Sequence, residues 1–552
     1  MDMPVDTAPL PFLRSPPFPG VAPALASISA PLAPAPAGIV PDSLLAAVAQ
    51  ARVGGDFWGA RPRAVRLVAR GGVAVPPACL ADLAPHEIGV TDGAAGGGKT
   101  GAIGDRLPDG CDPWALVEGA RSVHVAAVDD DLAIVAGLLG VPVHGPDGAV
   151  IPPSTLRDAA RARLAAARYR DCFTGEAIDA ADAVALLADW RRHLDGNRGI
   201  AAASGISFWK REAIGRFLWD GRRSPPYLSP ARGLRRARRE RGALAIWPSR
   251  VPPSTPRDAA TMGVPLCRVE DGFLRSRGLG AALHPPGSVV MDRQGIYYDG
   301  GRPSDLETVL ATHPFPPALV DRARRLRERI CAAGVTKYGQ DGGRAVALPA
   351  GRRSVLAVGQ VDDDMSVRLG GAGVTGNLDF LERVRRAEPD AWIVYRPHPD
   401  VRAGHRRGHL SEAAVRRHAD HIDEGAPLMA LAQAVDAVHV LSSLTGFEAL
   451  LRGRPVTVHG MPFFAGWGLT CDLAPPNGRR TRRLTLDQLV AGALILYPRY
   501  LDPVTGLPCG PELMVDRLAS GAMPPVNWLI RARALQGKLR RYMTLAAEFV
   551  HG

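Results

Sequence analysis

The sequence predicts an α/β protein built on parallel sheets, and three observations point there. Short apolar, β-branched runs recur from about residue 60: AVRLVAR (64–70), RSVHVAAV (121–128), GALAIW (242–247), RSVLAVG (353–359), AWIVYRP (391–397) and AVHVLSS (437–443). Helical-period stretches such as NLDFLERVRRAEP (377–389) fall between them. The runs are short and apolar, as strands covered by helices on both faces are.

A chain of 552 residues is long enough for three or four units of about 150 residues each. Hydrophobic residues at 46% and charged residues at 22% supply an ordinary globular core. The seven cysteines (Cys79, Cys111, Cys172, Cys267, Cys331, Cys471, Cys509) stand singly, without a CxxC pair. That dispersal argues against a disulfide framework or a zinc site and for a reducing compartment. No apolar run approaches the roughly 18 residues that span a bilayer. The start, MDMPVDTAPLPFLRSPPFPG, is acidic and proline-rich, unlike a signal peptide, so a cytoplasmic protein is expected. A formal charge of +12 and a pI near 9.8 imply an anionic partner: nucleic acid, a phosphorylated substrate or an anionic membrane face. Charge alone does not choose among these.

Residues 1–45 are rich in proline and alanine and read as a flexible arm. Beyond them lies an internal repeat. DPWALVEGARSVHVAAVDDDLAIVAGLLGVPVHG (112–145) parallels APLMALAQAVDAVHVLSSLTGFEALLRGRPVTVHG (426–460), and ARYRDCFTG (167–175) parallels PRYLDPVTG (498–506). The copies differ where chemistry is expected: SSLTGFEAL in the second faces AVDDDLAIV in the first, so Glu448 meets only Ala133 or Val135. Residues 46–195 therefore read as a shortened, chemically degenerate relative of the second copy, with a structural role.

GAAGGGKT (93–100) fits the phosphate-loop pattern GxxxxGK[ST], with Lys99 as its lysine. That motif needs a strand before it and a helix after it. PHEIGVTD is a poor strand and GAIGDRLPDG is broken by glycines and a proline, so a flexible glycine-rich loop is expected instead of an ATPase site.

The second half concentrates polar chemistry. RVEDGFLRSRGLG (268–280) sets Glu270 and Asp271 directly after a short apolar strand, where sites gather in α/β folds. Asp-Gly also suits a plain turn. Adjacent carboxylates resist joint ionisation, which separates a nucleophile from an acid or base. In SSLTGFEALL, Ser442, Ser443 and Thr445 sit where a helix N-cap belongs, and Glu448 lies three residues after Thr445, as in a capping box. The same N-terminus, following a strand, suits phosphate, with a carboxylate for ribose hydroxyls. YRPHPD places His398 and Pro399 at a strand end. There a histidine is either structural or a donor to a leaving phosphate. FFAGWGLT (463–470) offers aromatics for stacking or for the core. No second carboxylate cluster has metal-ligand spacing to Glu270 and Asp271, although DDD (362–364) keeps that option open.

Together VEDGFLRSRGLG, GIYYDGGRPSDLE, VTKYG, GQVDDDMSVRLG, YRPHPDVRAG, SSLTGFEALLRGRPVTVHGMPFFAGWGLT and LILYPRYLDPVTG resemble the capsule polysaccharide β-Kdo transferases of Gram-negative bacteria. The blocks run in order over about residues 200–515 and are most similar to the second module of two-module members. The resemblance implies a GT-B architecture of two Rossmann-like lobes. An acceptor-side lobe (196–345) would carry the acidic motif, and a second lobe (346–520) would bind CMP-Kdo. The acidic and His-Pro pairs also resemble motifs of bacterial sialyltransferases. No bound metal and no cofactor is implied.

By the same resemblance Asp271 is the catalytic carboxylate of a retaining double displacement, with CMP as leaving group. Glu270 tunes it or deprotonates the acceptor. His398 stabilises the departing phosphate; Ser442, Ser443 and Thr445 bind phosphate, and Glu448 the ribose. Gln360, Asp364 and Pro399 line the cleft, while Arg275, Lys337 and Arg396 are candidates for the Kdo carboxylate. The implied acceptor is a Kdo-terminated, phosphatidylglycerol-linked glycolipid in capsule linker synthesis and export. Partners would be the anionic inner-membrane surface and other capsule assembly proteins, with no nucleic acid. Residues 521–552 place Trp528, Leu535, Tyr542 and Phe549 at helical spacing among arginines, as a basic amphipathic helix on that membrane would. Two features depart from the family: Pro248 stands in IWPSR where members show Trp-Gly, and the first module is truncated. These motivate an alternative, a catalytically weak scaffold of the capsule assembly complex.

Overall fold

The computed structural model describes residues 10–31, 40–91, 104–274, 285–336, 346–402, 404, 406–423 and 425–522. The phosphate-loop match at 93–100, Arg275, Lys337 and residues 523–552 of the expected C-terminal helix lie outside them. The chain divides into two compact units. One comprises Met1–Arg198, Leu218–Ser224 and Thr505–Pro508; the other comprises Gly199–Phe217, Pro225–Val504 and Cys509–Gly552.

The first unit holds a parallel five-stranded sheet: β1 (Leu67–Arg70), β2 (Ile88–Thr91), β3 (Asp105–Arg106), β4 (Ser122–His124) and β5 (Val143–His144), in spatial order β3-β2-β1-β4-β5. A helix α1 (Asp131–Leu139) follows β4 and buries Leu132 to Ala136. Residues 10–31, expected to be part of a flexible arm, are instead integral to this unit. Phe12, Leu13, Phe18 and Ile28 are buried in its core, and Ser29–Pro31 pairs antiparallel with Ala167–Arg170. Four apolar anchors spaced irregularly among prolines have no period to read, which is why composition suggested an arm.

The second unit has two sheets. In the first lobe β6 (Ile200–Ser204), β7 (Ala243–Ile246) and β8 (Leu266–Asp271) are parallel, and β9 (Ser288–Asp292) is antiparallel to β8. In the second lobe β10 (Ser354–Val358), β11 (Trp392–Arg396), β12 (His421–Ile422), β13 (Ala437–Val440), β14 (Val456–Val458) and β15 (Cys471–Asp472) are all parallel, in the order β12-β11-β10-β13-β14-β15. This is the doubly wound 3-2-1-4-5-6 order, whose first five positions the first unit repeats. One boundary moves: β16 (Pro498–Leu501), expected in the second lobe, pairs antiparallel with β9 in the first. The unit is α/β with two sheet-centred lobes, as in the GT-B type, the first mixed rather than wholly parallel.

The repeat is visible in the folded chain. His124 on β4 and His439 on β13 occupy the same sheet position, and His144 and His459 follow each by twenty residues. His124 stacks on His144 with ring centroids 4.5 Å apart, and His439 Nδ1 lies 3.1 Å from His459 Nε2.

Buried residues of both lobes of the second unit merge into one apolar cluster, which includes Phe273, Val290 and Leu310 from one side and Phe447, Phe463 and Trp467 from the other. The rings of Phe273 and Phe463 stack at 4.5 Å. Trp467 is fully buried and donates to the Phe463 carbonyl at 2.8 Å, so FFAGWGLT is core rather than a stacking platform. Nearby, Glu307 on α2 (Asp305–Thr312) is buried and paired with Arg479 and with Arg480 Nε at 2.8 Å. Burial pushes its carboxyl up, but hydrogen bonds from the two guanidinium groups outweigh that and hold it below the usual range. Replacing Glu307 with Gln leaves a buried arginine uncompensated and is expected to cost about 3–5 kcal/mol, read from chemical unfolding. Because the folded pKa is depressed, the stabilisation is present above the ordinary glutamate pKa of about 4.3 and is lost as pH falls below it. In Glu307→Gln that acid-side loss should shrink.

Candidate active site

Three parallel strands of the first lobe deliver their ends to one place. β8 ends in Glu270 and Asp271, still laddered: Glu270 faces Val290, Asp271 faces Val289, and Gly272 N–H donates to Ser288 O at 3.0 Å. Asp-Gly is therefore the end of a strand and not a turn. A Cβ on residue 272 would lie 2.3 Å from Ser288 Oγ, so only glycine lets the strand pass there. β7 runs into Trp247, which is buried. Pro248 takes the first position of a 3-10 turn, Pro248–Arg250, where a missing N–H costs nothing, so the Trp-Pro departure is accommodated. After β6 the chain turns at Gly205 (φ +77°), where a Cβ would meet Val251 and the Trp247 carbonyl at 2.9 and 3.1 Å. It then presents Lys210.

Lys210 is the residue that sequence reading missed. Its ammonium bonds both oxygens of Asp271, at 2.8 and 3.0 Å, and both side chains are largely buried (7% and 16% exposed). It also lies 3.9 Å from the ring centroid of Trp247 and 5.3 Å from that of Trp209. A buried ammonium requires such a partner, and the indole faces add cation–π attraction. A lysine after two aromatics in ISFWKREA was the only signal, and nothing local ties it to a carboxylate sixty residues on.

Tyr297 and Tyr298 back this carboxylate pair. Burial first, then the charges of Glu270 and Asp364, push the Tyr298 phenol up; the Tyr298 hydroxyl is buried without a hydrogen-bond partner. Burial and the charges of Glu270, Asp271 and Asp364 push Tyr297 up as well. The end of α3 (Met365–Gly370) packs against the same segment: a Cβ on Gly370 would lie 2.9 Å from the Tyr298 carbonyl. Asp364 is the N-cap of α3, accepting from Ser366 N at 2.9 Å and from Ser366 Oγ at 2.8 Å.

In the second lobe strand order reverses between β10 and β13, the switch point at which doubly wound sheets open a crevice. Gln360 follows β10 and Ser442 follows β13, and they clip the crevice: Ser442 N–H donates to Gln360 Oε1 at 2.8 Å, and Gln360 Nε2 donates to Ser442 Oγ at 3.0 Å. Asn377 holds the Gln360 backbone from behind, at 2.8 and 2.7 Å. Ser443 caps α4 (Leu444–Leu451), accepting from Thr445 N–H at 3.3 Å and donating to Thr445 Oγ1 at 3.1 Å. The capping-box expectation fails because Ser443, not Thr445, is the N-cap. Glu448 therefore sits inside the helix, buried, and lines a pocket with Phe273, Thr336 and Leu444.

His398 follows β11 and is half-buried, with exposed Pro399 beside it. Its Nδ1 accepts from Asp400 N–H at 3.1 Å, which leaves Nε2 as the protonated, donating nitrogen of the neutral ring. Arg396 does not remain available for a sugar carboxylate. It is paired with buried Asp423 and donates to the Ala426 carbonyl at 3.0 Å. That charge is already neutralised within the lobe.

The first unit fills its equivalent switch point with itself. Arg70 at the end of β1 bonds both oxygens of Asp130, the N-cap of α1, at 2.9 and 2.8 Å. A carboxylate of the chain thus stands where the second copy has Ser443. Among the described residues one group has metal-ligand proximity, Cys79, His124 and His144. The two imidazole planes lie 12° from parallel and stacked, so their in-plane lone pairs do not converge. The equivalent histidine pair of the second lobe is tilted by 43° rather than stacked, and has no cysteine in such proximity among the described residues.

Comparison with known proteins agrees with these motifs. The capsule polysaccharide biosynthesis protein model matches residues 242–347 and 329–500. The capsule polysaccharide modification protein LipA of Neisseria meningitidis serogroup A is 40% identical over 354 residues, 64% of this chain and 50% of its own. The lipopolysaccharide-processing protein LpsZ of Rhizobium meliloti is 40% identical over 305 residues, 54% of this chain and 69% of its own. Among solved structures, the Thermosulfurimonas dismutans KpsC β-Kdo 2,7 transferase aligns at 33% identity over 58% of this chain and 99% of its own, with a TM-score of 0.49. The chain is a member of the capsule polysaccharide biosynthesis protein family. It spans about half the length of the Neisseria relative.

Gln360→Ala strips two partners from Ser442 and is expected to destabilise the second unit by about 1–3 kcal/mol, measured as a shift in the urea midpoint.

Proposed function

We propose that the chain is a retaining glycosyltransferase that moves Kdo from CMP-Kdo to a Kdo-terminated, lipid-linked acceptor in capsule polysaccharide synthesis. The observation that carries this reading is Asp271, held by Lys210 at the carboxyl end of a parallel strand in a family member whose other lobe lines its switch point with Gln360 and the Ser442 hydroxyl. Asp271 Oδ attacks the anomeric carbon; the bond from that carbon to the phosphate oxygen breaks, and its electron pair leaves with CMP. His398 Nε2–H donates to the phosphate as charge develops, and Ser442, Ser443 and Thr445 hold it at the start of α4. Glu448 accepts from the ribose hydroxyls. The acceptor hydroxyl then displaces Asp271 from the opposite face, its proton passing to Glu270. Two inversions give net retention.

Neither a metal nor another cofactor enters this scheme. The chain would work in the cytoplasm on the inner-membrane surface, where its +12 charge favours an anionic acceptor. Among the described residues no helix is long and apolar enough to cross a membrane. The test is transfer from CMP-Kdo to a synthetic Kdo-terminated glycolipid. Asp271→Ala is expected to lower kcat about a thousandfold or more with CMP binding retained. Full activity in that variant would overturn the assignment, and no transfer by the native chain would favour a scaffold.

A further inference from the structure

The strongest feature that the scheme leaves unused is the cation on Asp271. Resting on the reading above, we propose that Lys210 binds the donor's own carboxylate during the reaction, exchanging it for Asp271 as the Asp271 charge is consumed. Kdo carries a carboxylate on its anomeric carbon. A carboxylate nucleophile must therefore approach a carbon that already bears one anion and a phosphate. Like charges at bonding distance repel strongly where water is excluded, so an ammonium shared by both anions lowers the barrier.

Lys210 is placed for that exchange. Its Nζ bonds both Asp271 oxygens, so it bridges the edge of the carboxylate and adjoins whichever oxygen reacts. Trp247 and Trp209 flank the ammonium and supply attraction that does not depend on which anion it holds. Of the candidates for the sugar carboxylate named from the sequence, Arg396 alone lies within the described residues, and it is already bound by Asp423. When Asp271 oxygen bonds the anomeric carbon and CMP leaves with the electron pair, Asp271 becomes a neutral ester. Lys210, still protonated, then pairs with the sugar carboxylate. On attack by the acceptor the ester electrons return to Asp271, and the original pair re-forms. Lys210 gains and loses no proton.

The consequence is a charge preference that resides in one side chain. With CMP-Kdo and its carboxamide analogue as donors, the native chain should favour the acid about a hundredfold in kcat/KM. Lys210→Met should slow both donors, because Asp271 loses its partner, but should lose at least tenfold more on the acid than on the carboxamide, collapsing the preference. Lys210→Arg should keep it, and CMP affinity should be unchanged in both variants, which shows that the donor lobe is folded. Equal fold-loss on both donors, which leaves the preference intact, would mean that Lys210 only positions Asp271, and no loss on either donor would mean that another group binds the carboxylate; either overturns the proposal. If the native chain transfers neither donor, the function itself is wrong, a distinct outcome from these.

Discussion

A charge placed beside strand ends inside a protein must be matched by an opposite charge within hydrogen-bond reach, and the Lys210–Asp271 pair satisfies that requirement at the end of β8. Much of the first lobe's local structure serves it. Gly205 turns the chain under Trp247, Trp247 caps the ammonium, and Gly272 lets β8 run past Ser288 so that Asp271 stays in the ladder. The pair is a poor choice for stability alone, since well-packed apolar groups would serve as well. Its place at the carboxyl end of a parallel strand is where sites gather in α/β folds.

The two copies of the doubly wound sheet show how one framework serves two ends. Both carry a histidine pair, one on the fourth strand and one at the end of, or directly after, the fifth. At the switch point they diverge. Arg70 and Asp130 close the first with an internal ion pair, whereas Gln360 and Ser442 leave the second neutral and rich in hydroxyls. A carboxylate at a helix N-terminus satisfies the amides that a phosphate would otherwise take. That substitution gives a physical meaning to the degenerate first copy.

Much of this was legible in the sequence. Apolar runs located the main parallel strands, the repeat related the two sheets, and the Glu-Asp-Gly, His-Pro and Ser-Ser-x-Thr motifs marked strand ends that the fold brings to two crevices. What escaped was non-local. Phe12, Leu13 and Phe18 lack a period because they anchor a meandering segment. β16 rejoins the first lobe because its partner β9 lies about two hundred residues earlier. Lys210 finds Asp271 only through the sheet, and Arg396 finds Asp423 in the same way. The N-cap moved from Thr445 to Ser443 because local hydroxyls compete for the same role, and only backbone geometry chooses.

The central claim is that Asp271 bonds to the sugar. Mixing the protein with CMP-Kdo in the absence of acceptor, quenching in acid and mapping peptides by mass spectrometry tests it directly. The account predicts a Kdo adduct on the peptide that contains Asp271, released when acceptor is added. An adduct on another residue, or steady turnover with acceptor while no adduct forms on Asp271, would contradict it.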